Sequence, residues 1–227
     1  MINRLHSLLH RPENGWDPVD RVYALSYAAG QWETFAPELV DRLEGWLGEG
    51  LKGKRILDLG GGPGQYSVAF AQRGAVVTWH DVSAAYLGIA RQHVEDAGVQ
   101  VEFSLGYLED ARRFVDCSFD LVFNRICWAY SMDDRDFASL IYGLVKPGGA
   151  AYIDTNTPDV ERPTGTRRLQ YFLNDRFFWK VGHPHPPHGR IADLFNRYAV
   201  DYMMVDYTSL RNDRLFFVKS KRRNFVR

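Results

Sequence analysis

The chain has 227 residues, a length that suits one α/β domain with a full hydrophobic core. Lys and Arg together number 28, as do Asp and Glu, and this neutral balance argues against a nucleic-acid partner bound through a basic face. Two cysteines without a secretion signal indicate reduced thiols, and no apolar stretch is long enough to span a membrane. We therefore expect a cytoplasmic protein with no membrane span.

Residues 1–50 predict a series of helices. The leucines of residues 5–9 fit one face of a short helix that stops near Pro12. Asp17-Pro18 favours a new helix start, with the aspartate as N-cap and the proline at the first helical position. That helix is expected over residues 19–35, and another over residues 37–47, where apolar residues recur at helical spacing.

A short apolar strand, residues 56–59, ends in a glycine-rich turn that leads into a helical pattern. Gly60, Gly62 and Gly64 supply positions where φ can be positive or where the backbone can approach a ligand closely. The N–H groups at the start of the following helix point towards whatever binds there. Alone, such a turn is found in many nucleotide-binding folds.

A second strand, residues 75–80, ends in Asp81-Val82-Ser83. The two oxygens of a carboxylate at this position can accept hydrogen bonds from the two ribose hydroxyls. The whole pattern, Asp58-x-Gly-x-Gly-x-Gly followed by this second acid, resembles the S-adenosylmethionine (SAM) site of class I methyltransferases. NAD-binding Rossmann domains usually lack the leading acid.

The resemblance implies a fold, a cofactor and residue roles. The fold is α/β, a Rossmann-like doubly wound sheet, mostly parallel with an antiparallel C-terminal hairpin strand, and helices on both faces. The cofactor is SAM, and the product is S-adenosylhomocysteine (SAH). Asp81 and Val82 are expected at the ribose and the three glycines at the methionine and ribose. Asp58 is expected to order the loop or receive the amino group.

In small-molecule members of this family, the segment before the first strand is a variable lid over the methyl donor. The resemblance therefore divides the chain into a lid, residues 1–50, and a methyltransferase domain, residues 51–227. A tyrosine from such a lid commonly approaches the sulfonium. Tyr23 and Tyr27 share a helix face, and Tyr27 is a candidate catalytic residue, although packing of both rings in the core stays open.

The third strand, residues 99–105, leads into the turn where this family usually carries an acid near the adenine amino group. Tyr107 stands in the place of that acid. Glu109 or Asp110 is a candidate substitute, and main-chain and apolar contact from Leu108 is the alternative. Both acids also fit an ordinary solvated loop.

The fourth strand, residues 118–124, is almost continuously apolar, as expected for a parallel strand buried on both faces. Asn124 falls at its C-terminal end, where α/β sheets bind their ligands, and is a candidate contact for the SAM amino-acid part or the substrate. The residues around it do not form the Asn/Asp-Pro-Pro-Tyr tetrapeptide of amino-methylating enzymes, which argues against adenine or glutamine-amide acceptors. Trp128 and Tyr130 either wall a pocket or pack in the core.

The last third of the chain predicts the remaining strands. A helix over residues 134–145 is expected to end in a left-handed glycine within Lys146-Pro147-Gly148-Gly149, before the fifth strand. Strands at residues 199–207 and 215–219 flank Asn212-Asp213, a hairpin turn signal. A final antiparallel hairpin is typical of class I methyltransferases and is absent from NAD-binding Rossmann domains.

Residues 158–188 have no counterpart in the minimal fold and combine aromatic residues with three histidines separated by prolines. In the family, an insertion here usually shapes the acceptor pocket. We take His185 or His188 as the hypothetical general base. Structural or solvated histidines remain the alternative, and no metal is expected because the rigid proline loop need not bring the rings together.

The sequence therefore predicts a SAM-dependent methyltransferase acting on a hydroxyl or amine of a metabolite, sugar or natural product. An RNA or protein methyltransferase, a dehydrogenase and a repurposed SAM-binding protein remain alternatives. Nucleic acid is disfavoured as a partner by the neutral charge. A homodimer is left open.

Overall fold

The computed structural model describes residues 2–48, 50–114, 119–158, 164–209 and 211–221. Its centre is a seven-stranded sheet with the order β3-β2-β1-β4-β5-β7-β6. The strands are β1 Arg55–Leu59, β2 Val76–Asp81, β3 Val101–Leu105, β4 Phe119–Arg125, β5 Val145–Asn156, β6 Val200–Asp206 and β7 Asn212–Lys219. Strands β1 to β5 run parallel, whereas β7 is antiparallel to both β5 and β6. The predicted mixed Rossmann-like sheet is confirmed.

Helices cover both faces of this sheet. They are α1 Ile2–Leu9, α2 Arg21–Glu33, α3 Pro37–Leu47, α4 Gln65–Gln72, α5 Ala84–Asp96, α6 Asp134–Leu144, α7 Gly165–Phe177 and α8 Arg190–Phe195. One core packs α6 and α8 against β1, β4, β5 and β7, and the other packs α3 and α4 against the opposite face. Strand β4 contributes to both cores, which explains its continuous apolar run. Within the described ranges, no helix combines the length and hydropathy needed to cross a bilayer.

Three local predictions are corrected by the structure. Asp20, not Asp17, caps α2, because its carboxylate accepts hydrogen bonds from Val22 N and Tyr23 N. The carboxylate of Asp17 instead accepts from Ala85 N at 2.7 Å and so ties the α2 approach to α5. Pro18 therefore precedes the helix, which begins at Arg21.

The other two corrections concern chain reversals. Asn212 and Asp213 lie inside β7, paired with the end of β5, so the hairpin turn lies upstream, between residues 206 and 212. Helix α6 ends at Leu144 and passes directly into β5 through an extended Val145. Gly148 has the predicted positive φ of 79°, but it lies within β5 and does not end the helix. In both cases pairing with β5 decides the local structure over turn propensity.

His80 is fully buried on β2 and joins two neighbouring elements. Its Nδ1 lies 2.9 Å from Ser104 Oγ on β3, and its Nε2 lies 2.7 Å from the Tyr107 carbonyl oxygen. Burial lowers the pKa of this imidazole from 6.5 to about 4. The ring is therefore neutral in the folded protein at neutral pH.

We expect His80 to make the fold sensitive to acid. Because its folded pKa lies below the unfolded value, the unfolded chain takes up the proton first, and stability falls as pH drops from 6.5 towards 4. The gap between those pKa values corresponds to about 3 kcal/mol at most. We expect the free energy of unfolding, measured with urea at several pH values, to fall less steeply towards acid pH in His80→Gln than in the wild type. Equal slopes would contradict this assignment.

Candidate functional site

The glycine loop between β1 and α4 is held against the end of β2. Gly60 N and Gly61 N donate to the His80 carbonyl oxygen at 2.7 and 3.2 Å. Gly60 and Gly64 have φ values of 83° and 85°, which favour glycine. A Cβ on Gly60 would lie 2.3 Å from Cys127 Sγ, so the backbone here packs directly on the turn after β4. Both glycines are required by the fold itself.

Gly62 differs from its neighbours. Its φ is 48°, and a Cβ added there would meet no described atom within 4 Å. Its carbonyl oxygen accepts a hydrogen bond from Trp79 Nε1 at 3.0 Å, which fixes the loop from the sheet side. By contrast, a Cβ on Gly61 would lie 2.2 Å from the Trp79 ring. The loop is therefore packed at Gly61 and open at Gly62, where a ligand can approach the backbone.

Gly62→Ala is expected to weaken binding of SAH at least tenfold while costing about 1 kcal/mol of stability, since alanine tolerates the left-handed region at that cost. The added methyl group meets no protein atom, so a loss of affinity would come from the ligand. Calorimetric titration and thermal unfolding measure the two effects. Gly61→Ala is the matched control, and it should destabilise the fold through its clash with Trp79. Unchanged affinity in Gly62→Ala would place the ligand elsewhere.

Two predicted carboxylates flank this loop. Asp58 is buried, and its Oδ2 accepts from Ser67 Oγ at 2.7 Å. Burial raises the pKa of Asp58 to about 7. Asp81 accepts from Gly62 N at 3.0 Å through Oδ2 and from Ser83 N at 2.9 Å through Oδ1. The structure therefore brings Asp58, Asp81 and the glycines together, and Val82 follows at the same edge of the sheet.

Asn124 lies at the end of β4, below the same loop. It is fully buried, and its Nδ2 donates to the Leu59 carbonyl oxygen at 2.9 Å. Its Oδ1 has no hydrogen-bond partner among the described residues. Two positions on, Ile126 takes a φ of 60°, which is strained for a β-branched residue. A hydrogen-bond acceptor without a partner and a strained backbone both lie at the ligand edge. Both features are consistent with a ligand that donates a hydrogen bond there.

The residues predicted at the adenine lie in the turn after β3. Glu109 Oε1 accepts from Met132 N at 2.7 Å, so its carboxylate faces the turn after β4. Asp110 accepts from Tyr107 N and forms an ion pair with Arg11 at 3.1 Å. Asp110 is held by these partners, whereas the buried Glu109 Oε2 has no hydrogen-bond partner among the described residues. Glu109 therefore stays a candidate for the adenine contact. Leu108 is buried beside the glycine loop, 3.7 Å from the Cβ position of Gly60, which favours the apolar alternative.

Tyr27 lies in a group of tyrosines contributed by α2 and α5. Its ring is stacked on Tyr23 at 5.9 Å and lies 5.7 Å from Tyr86. Burial raises the pKa of Tyr27, and the nearby guanidinium of Arg125 opposes that shift. The phenol therefore stays protonated at neutral pH. This arrangement joins the N-terminal helices to the helix that follows Asp81.

The two histidines proposed as bases have different surroundings. His188 Nδ1 lies 2.8 Å from Asp213 Oδ1, and its Nε2 lies 3.1 Å from Thr157 Oγ1. This group sits at the end of β5, next to a cavity of about 260 Å³ that Phe178 and Arg190 also line. His185 is half-buried. The described histidines form no group of three or more side chains that could hold a metal ion.

Sequence reasoning missed three residues at this edge. His183 lies 4.8 Å from the Tyr130 ring, and burial lowers its pKa. Arg125 contacts Gln31 of α2 at 3.4 Å and Asp154 of β5 at 3.5 Å. The position of Arg125 directly after Asn124 was a signal that could have identified it. Nothing in the sequence distinguishes Gln31 or the orientation of His183.

The sheet order and the acid-flanked glycine loop define a class of protein, a Rossmann-like domain with a nucleoside-cofactor site of the methyltransferase type. Residues 56–149 match the sequence model of a methyltransferase-domain family. A ubiquinone biosynthesis O-methyltransferase of Azoarcus sp. strain BH72 is 30% identical over 154 residues, which are 68% of this chain and 61% of that protein. One from Pseudomonas aeruginosa is 37% identical over 112 residues, 48% of each chain.

Solved structures support the same fold. A putative SAM-dependent methyltransferase from Methanococcus maripaludis has a TM-score of 0.64 at 15% identity, covering 90% of this chain and 95% of that one. An O-methyltransferase family protein from Burkholderia thailandensis has a TM-score of 0.60 at 23% identity, covering 88% and 60%. The matched domain, these relatives and the shared fold support a class I SAM-dependent methyltransferase. It spans 48% to 61% of the length of these two curated relatives.

Proposed function

We propose that this chain binds SAM and transfers its methyl group to a small-molecule acceptor, most directly a hydroxyl group. The observation that carries this proposal is the link between Gly62 N and Asp81 Oδ2, which places the open backbone of the loop beside a carboxylate. When bound, SAM supplies an electrophilic methyl group on a sulfonium. The relatives' names, as O-methyltransferases, support a hydroxyl acceptor, and an amine remains the second choice.

In this proposal, each donor-side residue contacts a different part of SAM. Asp81 has two oxygens that each accept a backbone N–H, and the remaining lone pairs can accept the two ribose hydroxyls. Gly60, Gly62 and Gly64 let the backbone lie against the methionine and ribose parts. Asn124 Oδ1, which lacks a partner in the described residues, can accept from the amino group. Leu108 supplies an apolar surface for the adenine.

The acceptor side supplies alignment and a base. In-line transfer requires the attacking atom, the methyl carbon and the sulfur to be held in one geometry. A hydroxyl acceptor also requires a base, and His188 is oriented for this role by the buried Asp213. His185 and Tyr27 remain part of the proposal. Residues 1–50 act in it as the lid that brings Tyr27 to the donor.

Titration of the purified chain with SAM, SAH and NAD tests the donor assignment. We expect micromolar affinity for SAM and for SAH, and no binding of NAD. SAH release with a panel of catechols and amines then tests transfer, with His188→Ala and His185→Ala compared at equal SAM affinity. Turnover that survives both substitutions would reject the histidine base. SAM binding without SAH release would favour a repurposed binder.

A further inference from the structure

The part of the insertion that forms α7 and the residues after it exposes large apolar side chains. Phe172 and Trp179 are 53% and 64% exposed, and Leu169 and Phe177 are similarly open to solvent. The Phe177 ring lies 6.1 Å from Phe172 and 5.5 Å from Trp179, so the three rings form a continuous surface. We call Leu169, Phe172, Phe177 and Trp179 the aromatic face of α7. An exposed apolar surface of this kind marks an interaction site.

The C-terminal end of α7 and the residues after it are anchored to the rest of the domain. The loop after α7 is fixed by Lys180, which is buried and reaches Asp134 Oδ1 at 2.7 Å. Phe178 is held between the guanidinium groups of Arg135 and Arg190, at 3.9 and 4.3 Å from its ring. The segment therefore docks through one side and still presents aromatic rings on the other.

Cations accompany the aromatic face. Arg167, Arg168 and Arg176 are exposed on α7, and Asp175 is the one acid of that helix. The Asp175 carboxylate lies 3.9 Å from Arg190, on the docked side. The helix thus offers aromatic rings and an aliphatic side chain together with positive charge, a combination that suits the headgroup region of an anionic bilayer.

Helix α1 also contacts the loop after α7 and exposes apolar side chains. Asn3 Nδ2 donates to the Gly182 carbonyl oxygen at 2.8 Å, which joins α1 to the loop after α7. Leu8 and Leu9 on α1 are 70% and 79% exposed. Two segments joined by this hydrogen bond therefore each expose apolar side chains.

We propose that the aromatic face of α7, with its arginines, binds the surface of a bilayer that contains anionic phospholipid. The rings enter the interface while the guanidinium groups contact lipid phosphates. A second copy of the chain fits less well, because an isologous contact would bring the arginines of two α7 helices together. The proposal goes beyond methyl transfer and does not depend on it.

Co-sedimentation with vesicles of phosphatidylcholine alone, or with about a third of phosphatidylglycerol, tests this surface directly. We expect binding to the anionic vesicles, a large loss at about 0.5 M salt, and little binding to the neutral ones. Arg167→Gln/Arg168→Gln should lower the partition coefficient about tenfold or more. The matched control Arg42→Gln/Lys52→Gln removes the same charge from other exposed positions and should bind like the wild type.

A second pair of variants tests the rings. Phe172→Ser/Trp179→Ser should lose vesicle binding at least tenfold, whereas Val76→Thr/Tyr202→Thr, which changes exposed residues of β2 and β6, should not. Vesicles should shift the tryptophan emission of the wild type to the blue, and Trp179→Phe should reduce that shift. Equal binding by both arginine pairs, binding to neutral vesicles alone, or none at all would overturn the proposal. So would a dimer that dissociates in the serine variant without vesicle binding.

Discussion

Replacement of Asp81 by alanine is expected to weaken SAM and SAH binding by at least a hundredfold. The variant removes both acceptors of the proposed ribose contact, worth about 3 kcal/mol together. It also releases Gly62 N, which the carboxylate now holds at 3.0 Å, so the loop loses its link to the end of β2. Calorimetric titration with SAH measures the affinity, and circular dichroism checks that the fold is retained.

Asp41→Ala is the matched control, because Asp41 is an exposed carboxylate on α3 that pairs with Arg73. Its SAH affinity should equal that of the wild type. Asp81→Asn separates the two roles of Asp81, since an amide retains one acceptor for Gly62 N but weakens the ribose contact. SAH affinity within threefold of the wild type in Asp81→Ala would refute the ribose assignment.

Lys180→Met is expected to destabilise the fold by about 3 to 5 kcal/mol. Lys180 Nζ donates to Asp134 Oδ1 at 2.7 Å, Ser131 Oγ at 2.8 Å and the Trp128 carbonyl oxygen at 3.0 Å. Both partners of the ion pair are fully buried. Removing the ammonium leaves a buried carboxylate with only the more distant Arg190, at 3.4 Å, to balance it. Urea unfolding measures the loss.

The double variant Lys180→Met/Asp134→Asn should recover a large part of that stability. The asparagine oxygen can still accept from Trp128 Nε1, now 2.8 Å from Asp134 Oδ1, while the unpaired charge is gone. A double-mutant cycle with Asp134→Asn alone gives the coupling energy. If Lys180→Met costs less than about 1 kcal/mol, the buried charge is not the factor that anchors the insertion.

The central part of the fold follows from local patterns. The strand, glycine turn and helix of residues 55–72 were predicted because positive φ, apolar periodicity and strand length all agree there. Asp81 was chosen because it follows the second strand, where a carboxylate suits ribose hydroxyls, and its ribose contact stays a prediction. Ser83, two residues after Asp81, caps α5 by accepting from Tyr86 N.

The rest depends on contacts between distant residues. Asp17 and Asp20 are both acids near a helix start, and only the contact of Asp17 with Ala85 decides which one caps α2. The Lys180–Asp134 pair joins residues of the insertion and α6, and no periodicity indicates it. Glu109 faces Met132 because the turn after β4 lies against it, a packing detail that a motif cannot predict.

The buried carboxyl of Asp58 has a consequence for the proton balance of binding. With a pKa near 7, the free protein holds this site as a mixture of acid and carboxylate at neutral pH. A cationic ligand beside the loop favours the carboxylate, so part of the population must release a proton when the ligand binds. Because the buffer takes up this proton, we expect the apparent binding enthalpy of SAM to change with the ionisation enthalpy of the buffer. SAH carries the same ammonium group but not the sulfonium charge, so we expect SAH to release no more of this proton than SAM does.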